Sequence, residues 1–238
     1  MADEHERLEG VASWYSSRSG FYGRLVGYGF RSLQPHFAGA TCLELGPADG
    51  QMTGLLLDHF DSVVSVEGSA TFCDQLREHF AGETRLTVEC SLFEDYRPDR
   101  HFGTVLGTHI LEHVEDPVTV LRGAREWVDE DGRLVMLVPN AQSIHRLVAV
   151  EMGLLPTPNA LNDLDVRLGH RRVYDMPLLC EHVTDAGWTV ETTGGVFLKP
   201  LSNGQIEEWF DDRMMDGFFE IGKRFPENAA EIFVVARR

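Results

Sequence analysis

The sequence predicts one α/β domain, over residues 1–238, in which helices cover both faces of a mostly parallel sheet. Short apolar runs rich in β-branched residues alternate with longer segments of helical periodicity. This alternation is typical of parallel strands joined by crossover helices. A chain of 238 residues is also long enough to bury a core on both faces of such a sheet.

Seven strands are predicted, at 41–45, 62–66, 85–89, 104–107, 133–138, 189–193 and 231–236. Helical periodicity falls between them, at 51–59, 70–80, 117–128 and 177–186. Asp116 before Pro117 indicates a helix N-cap followed by proline in the first turn. Gly187 indicates the end of the helix at 177–186.

Three segments fall outside the strand–helix alternation. Residues 1–39 are expected to form an N-terminal helical cap, whose Trp14 and Tyr15 either close over a ligand or pack as the apolar face of a helix. Residues 140–175 are expected to form a substrate-side loop or lid, with a weak helix at 144–152. Residues 203–225 are aromatic-rich and helical in period.

Composition and charge exclude several classes of partner. The formal net charge is -17 and no run of Lys or Arg forms a basic patch, so neither nucleic acid nor an anionic membrane is an expected partner. The absence of a long apolar stretch and of a signal peptide predicts a cytoplasmic protein. The four cysteines are widely scattered, so neither a metal site nor a disulfide is expected. A homodimer stays an open alternative.

A glycine turn and an acidic residue follow the first two strands. Gly46 and Gly50 lie directly after the first strand, where open α/β sheets bind ligands. Glu67 ends the second strand, 21 positions after Gly46 (67 minus 46). This spacing places its carboxylate to accept both hydroxyls of an adenosine ribose, which predicts a nucleoside-type cofactor. A nicotinamide-dependent oxidoreductase is an alternative, although the third glycine of that fingerprint is missing.

Four motifs occur in order, at 43–50, 66–67, 107–114 and 132–140, and together they closely resemble the class I S-adenosylmethionine-dependent methyltransferases. The resemblance implies a Rossmann-like fold with seven strands, the last of them antiparallel. It implies S-adenosyl-L-methionine as cofactor and methyl transfer to a small molecule, first of all O-methylation of a sugar or secondary metabolite. N- or C-methylation, and a relative that binds the cofactor without methyl transfer, stay open.

The resemblance also assigns cofactor-side residues. Glu67 would hold the ribose, residues 91–93 would face the adenine, with Ser91 in place of the usual Asp, and His109 would lie under the methionine portion. His113 is interpreted as structural or adjacent to the cofactor. The complete expected set is Glu44, Gly46, Asp49, Gly50, Glu67, Ser91, Leu92, Phe93 and His109.

Candidate catalytic residues come from the segment after the fifth strand. His145 is the first candidate for a general base and His170 the second, because an unperturbed imidazole has a pKa near 6.5. The alternative is that both histidines pin the loop. Tyr15, Arg146 and Arg171 are expected to contact substrate, since a guanidinium fork suits a carboxylate or phosphate. Pairing of these arginines with acidic neighbours is the other interpretation.

Overall fold

A computed structural model describes residues 2–17 and 20–238 and contains one seven-stranded sheet in the order β3-β2-β1-β4-β5-β7-β6. The last strand in the chain pairs antiparallel with both of its neighbours, and the other pairs are parallel. This arrangement confirms the predicted fold class. The strands are β1 Thr41–Leu45, β2 Ser62–Glu67, β3 Leu86–Cys90, β4 Phe102–Thr108, β5 Val128–Pro139, β6 Thr189–Val196 and β7 Glu231–Arg237.

Helices pack against both faces because successive strand side chains point to opposite sides. Leu134 and Met136 of β5 join the core that contains α5 and α8, whereas Val135 and Leu137 join the core that contains α2, α3, α9 and α10. The helices are α1 Ala2–Ala12, α2 Gly20–Leu33, α3 Gln51–Leu57, α4 Ala70–His79, α5 Pro117–Trp127, α6 Ile144–Glu151, α7 Asp163–Leu168, α8 Met176–Asp185, α9 Asn203–Trp209 and α10 Asp212–Gly222.

The structure differs from the predicted elements mainly in two places. The strand predicted at 133–138 begins at Val128, directly after α5, because Val128 pairs with Phe102 before an irregular step in the register. Polar residues at 129–132 hide this extension in the sequence. The predicted helical segment 203–225 is two helices, since Asp211 breaks it and accepts a hydrogen bond from the backbone N–H of Met214.

The segment between β5 and α8 is more ordered than the predicted loop. It contains α6 and α7, and the second of these begins with a reciprocal capping box between Asn162 and Asp165. The segment returns to the sheet through a bridge between Asn140 and Tyr174. It is therefore held at both ends beside the carboxyl edge of the sheet.

All seven strands contribute to one edge of the sheet. The parallel strands end there, and the antiparallel β7 begins there with Glu231. No helix among residues 2–17 and 20–238 has the length and apolar character needed to cross a bilayer.

Candidate active site

A cavity of about 840 Å³ opens at this edge of the sheet. Its floor is formed where the strands end, and its walls come from α1, α2, the segment between β5 and α8, and the segment after β6. The predicted residues on its lining are Tyr15, Gly46, Glu67, Ser91, Leu92, Phe93, His109, His145, Arg146 and His170. Glu44, Asp49, Gly50 and Arg171 were predicted at the ligands too, but the described cavity wall does not include them.

The Glu67 carboxylate lies on the cavity wall at the end of β2. Its Oε1 accepts the backbone N–H of Ser69 at 2.9 Å, and its Oε2 accepts that of Ala48 at 3.2 Å. These two bonds fix the carboxylate, and they leave further lone pairs available to hydroxyl donors. Burial raises the pKa of Glu67, and the backbone donors oppose this effect.

The two positions in the turn require glycine for different structural reasons. Gly46 lines the cavity with φ at +68°, and a Cβ there would lie 2.5 Å from Cγ2 of Ile110. Gly50 precedes α3 with φ at +80°, and a Cβ there would lie 2.5 Å from Leu76 and 2.9 Å from Phe80. Gly50 is therefore required for helix packing, whereas the sequence interpretation placed it at the cofactor.

Glu44 lies behind the cavity wall, inside the sheet–helix core. Its Oε2 accepts hydrogen bonds from the hydroxyls of Thr53 and Ser65, both at 2.7 Å. Burial raises the pKa of Glu44 to about 7, despite the two hydroxyl donors. The side chain links β1, β2 and α3, so it supports the turn from behind the cavity wall, whereas the sequence interpretation placed it at the cofactor.

Asp49 anchors the N-terminal segment to the glycine turn. Its carboxylate accepts the backbone N–H of Ser17 at 2.7 Å and the hydroxyls of Ser17 and Ser16 at 2.6 and 3.0 Å. Asp49 is buried by these contacts, which explains its absence from the described cavity lining. The contacts bring Tyr15 onto the wall, where burial and then the charge of Asp49 raise its pKa.

Residues 91–93 follow β3 and form the wall beside Glu67. The Ser91 N–H donates to the carbonyl of Glu67 at 2.9 Å, and its hydroxyl donates to the carbonyl of Leu92 at 2.9 Å. The Phe93 ring lies across the turn, 3.7 Å from the position of a Cβ on Gly46. The segment thus presents two apolar side chains next to the carboxylate.

His109 follows β4 with a left-handed φ of +57°, which is uncommon for a residue other than glycine. Its Nε2 lies 2.8 Å from Glu231 and its Nδ1 lies 3.4 Å from Glu112. Burial alone would lower the pKa of His109, but the two carboxylates raise it to about 10. Glu231 starts β7 and could not be placed here from sequence spacing.

His145 lies on the opposite wall, in the first turn of α6. Burial and then the charges of Lys199 and Arg146 lower the pKa of His145 to about 3. Its buried Nδ1 has no hydrogen-bond partner in the described part of the chain. His145 itself lines the cavity, and its low pKa makes the ring a weak base.

Lys199 is a cavity residue that the sequence interpretation missed. It follows β6 and lies on the same wall as His145. Burial lowers the pKa of Lys199 to about 8, and the carboxylate of Glu231 opposes this shift. Its position after a strand at the ligand-binding edge was the only sequence signal that could have identified it.

Arg146, Asp165 and His170 form a buried cluster at the lid end of the cavity. Arg146 donates to Asp165 at 3.0 Å, to the carbonyl of Pro158 at 2.9 Å and to the carbonyl of Ala160. Nδ1 of His170 lies 3.3 Å from the other oxygen of Asp165. Burial would raise the pKa of Asp165, but hydrogen bonds from His170, the backbone N–H of Asn162 and Arg146 lower it to about 2.

Arg171 lies on the outer side of this wall. It donates to the carbonyl of His113 at 2.9 Å and to Glu4 of α1 at 3.0 Å. Arg7 of α1 donates to the carbonyl of Gly169 at 3.0 Å. Arg171 therefore joins α1 to the end of the lid segment, which differs from its predicted contact with substrate.

Residues 22–193 match the family model described as a methyltransferase domain. The chain belongs to this methyltransferase family. The match covers the turn at Gly46, Glu67 and the lid segment, and it decides against the nicotinamide-dependent alternative. Together with the seven-stranded fold it makes the chain a class I, S-adenosylmethionine-dependent methyltransferase of the small-molecule type. No curated protein sequence matches the chain.

Solved methyltransferase structures share this fold at low sequence identity. The CcbJ methyltransferase from Streptomyces caelestis superimposes with a TM-score of 0.65 at 17% identity, over 99% of this chain and 98% of that one. The N-methyltransferase NodS from Bradyrhizobium japonicum WM9, solved with S-adenosyl-L-homocysteine, gives 0.64 at 12% identity, over 99% and 98%. An S-adenosylmethionine-dependent methyltransferase from Mesorhizobium loti gives 0.61 at 15% identity, over 88% and 96%.

Proposed function

We propose that this methyltransferase transfers the methyl group of S-adenosylmethionine to an oxygen of a small metabolite, such as a sugar or a secondary metabolite. The observation that carries the proposal is one continuous cavity, lined by Glu67 on one side and by His145 and His170 on the other. Its volume of about 840 Å³ suits small ligands, whose pockets measure about 300–1,000 Å³.

The residues present fit the cofactor. The fixed Glu67 carboxylate has lone pairs for two ribose hydroxyls, and Gly46 forms part of the same cavity wall. Leu92 and Phe93 offer apolar surface for a purine ring beside that carboxylate. When bound, S-adenosylmethionine supplies an electrophilic methyl group on a cationic sulfur.

The work left to the chain is to align the acceptor and to take its proton. His145 lies on the cavity wall and has an unpartnered ring nitrogen, and His170 is oriented by Asp165. Both are the proposed proton acceptors, as in the sequence interpretation. Tyr15 and Lys199 line the same space, and they are the proposed contacts for the acceptor's polar groups. The segment 140–175 is the proposed lid.

The site of proton transfer separates oxygen from nitrogen acceptors. A neutral hydroxyl must lose a proton as it is methylated, whereas a neutral amine can react first and lose its proton later. NodS is an N-methyltransferase by its description, which keeps nitrogen as the second acceptor. Unchanged turnover in both His145→Gln and His170→Gln would favour nitrogen.

Calorimetry with S-adenosylhomocysteine tests the cofactor half. The wild type is expected to bind one equivalent, and Glu67→Gln is expected to bind at least about 10-fold more weakly, because one hydrogen bond to a charged group contributes about 1.5–3 kcal/mol. Glu89→Gln, an exposed carboxyl on the neighbouring β3, is the matched control. Absence of binding to the wild type, or equal binding by Glu67→Gln, refutes the proposal.

Formation of S-adenosylhomocysteine tests the transfer half. Panels of small hydroxylated, amino and carbon acceptors are incubated with wild type and with the two histidine variants. Only the true base is expected to lose about 10²-fold or more in turnover while cofactor binding is retained. Turnover confined to amine or carbon acceptors contradicts the O-methylation proposal.

A further inference from the structure

Glu112, His113 and His170 bring one carboxylate and two imidazoles together beside the cavity. One potential ligand atom from each lies within 4.8 Å of the others. Glu112 and His113 follow β4, and His170 reaches the same place from the end of the lid segment. The His113 and His170 ring centroids are 4.7 Å apart. Both histidines lie on the cavity wall.

The Glu112 carboxylate is buried, and its contact with the charged His109 involves one of its two oxygens. Its side chain is 1% exposed, and neither oxygen has a hydrogen-bond partner among residues 2–17 and 20–238. Nδ1 of His109 lies 3.4 Å from Oε1, close enough for attraction of charges, and this contact leaves Oε2 unused. A buried carboxylate with a free oxygen is costly unless a cation or a donor joins it.

His170 has the orientation of a metal ligand, because a carboxylate holds the ring nitrogen that would not bind the ion. Nδ1 faces the Asp165 carboxylate at 3.3 Å, so Nε2 is the nitrogen left to bind. Metal-binding histidines commonly donate their other ring N–H to a carboxylate, which fixes the tautomer and strengthens the ligand. Asp165 is itself fixed by Arg146, so the orientation is built into the lid.

We infer that these three side chains form a site for a divalent transition-metal ion such as Zn²⁺, Fe²⁺ or Mn²⁺. Two imidazoles and one carboxylate are a common ligand set for such ions, and they leave coordination positions open. Bonds of about 2.0–2.2 Å place the ligand atoms of a tetrahedral ion about 3.3–3.6 Å apart. Binding of an ion would therefore draw the three ligand atoms together from their present separations of up to 4.8 Å.

Because His113 and His170 lie on the cavity wall, the open positions would be filled by water or by oxygen atoms of the acceptor. An acceptor hydroxyl on the ion loses its proton more easily, because the cation stabilises the resulting oxyanion. With the ion bound, Nε2 of His170 is a ligand, so the proton of the acceptor would pass to His145. This use of the ion rests on the proposed function, whereas binding of the ion does not. The sequence interpretation expected no metal site, because it considered cysteine spacing and because His170 is separated from His113 by most of the lid.

Titration with Co²⁺ alone, in the absence of any acceptor, tests the site. The metal-stripped wild type is expected to bind one equivalent and to show visible ligand-field absorption. His113→Gln and His170→Gln are each expected to weaken binding at least about 10-fold, as removal of one ligand does. His101→Gln, on an exposed histidine away from the cavity, is the matched control and should bind as the wild type does.

S-adenosylhomocysteine calorimetry on the same samples distinguishes the possible failures. Retained binding in a variant shows that it is folded, so loss of Co²⁺ binding there is specific. If the wild type binds S-adenosylhomocysteine but no Co²⁺, the metal site is overturned and the proposed function stands. The reverse result overturns the proposed function alone.

X-ray absorption at the zinc edge of the wild-type complex removes any dependence on variants. Two imidazole nitrogens in the first coordination sphere, with oxygen ligands beside them, support the assignment. A complex with no imidazole, or Co²⁺ binding equal in wild type, His113→Gln and His170→Gln, overturns it.

Discussion

Replacement of Glu44 by Gln should change how stability depends on pH. The carboxyl has a pKa of about 7 in the folded protein and 4.5 as the reference value for the unfolded chain. The folded state therefore binds the proton more tightly. The contribution of this proton to the free energy of unfolding is fully present below pH 4.5 and is lost as the pH rises through 7. Glu44 therefore makes the wild type less stable at higher pH.

The magnitude follows from these two values. A pKa difference of about 2.5 units corresponds to about 3.5 kcal/mol at about 1.4 kcal/mol per unit, of which about 2.5 kcal/mol falls between pH 5 and pH 8. Gln has a similar shape and can still accept from Thr53 and Ser65, but it does not titrate. The free energy of unfolding of Glu44→Gln, relative to that of the wild type, should therefore be about 2.5 kcal/mol higher at pH 8 than at pH 5.

Urea unfolding at both pH values measures this change, because the midpoint and slope give the free energy of unfolding. Glu208→Gln removes an exposed carboxyl on α9 and is the matched control, so its difference from the wild type should be similar at the two pH values. If Glu44→Gln differs from the wild type by the same amount at pH 5 and pH 8, the buried carboxyl does not titrate as reasoned.

Three further changes test the site. Gly46→Ala forces a Cβ onto Ile110 at a left-handed φ, so it should lower stability by about 1–3 kcal/mol in urea unfolding and weaken S-adenosylhomocysteine in calorimetry. Asp49→Ala removes the carboxylate that accepts from Ser17 and should lower the free energy of unfolding by about 1–3 kcal/mol, whereas unchanged stability would contradict the anchoring role. Asp165→Ala should speed limited proteolysis between β5 and α8, and mass spectrometry locates the cuts.

The sheet and the cofactor side of the site were predictable because they depend on local rules. Gly46 and Glu67 follow neighbouring parallel strands, so their spacing along the chain fixes their proximity in space. Strand and helix periodicity likewise predicted most elements to within a few residues. The extension of β5 to Val128 escaped prediction because its polar residues carry no strand signal.

The acceptor side was only partly predictable because it is assembled from distant segments. Glu231 contacts His109 only because β7 enters the sheet antiparallel beside β5, and Lys199 depends on the path after β6. Arg171 illustrates the opposite error. Its guanidinium donates to Glu4 of α1, a contact that no spacing rule could indicate.

The position of β7 has a consequence for how the protein reaches its native state. Residues 231–237 insert between β5 and β6, so these two strands are joined only through a segment that follows both of them. Until it arrives, the apolar border of β5 around Val135 and Leu137 has no hydrogen-bonding neighbour on that side. Such late, long-range pairing slows folding and exposes an edge that invites self-association. A chain shortened before Glu231 is therefore expected to aggregate.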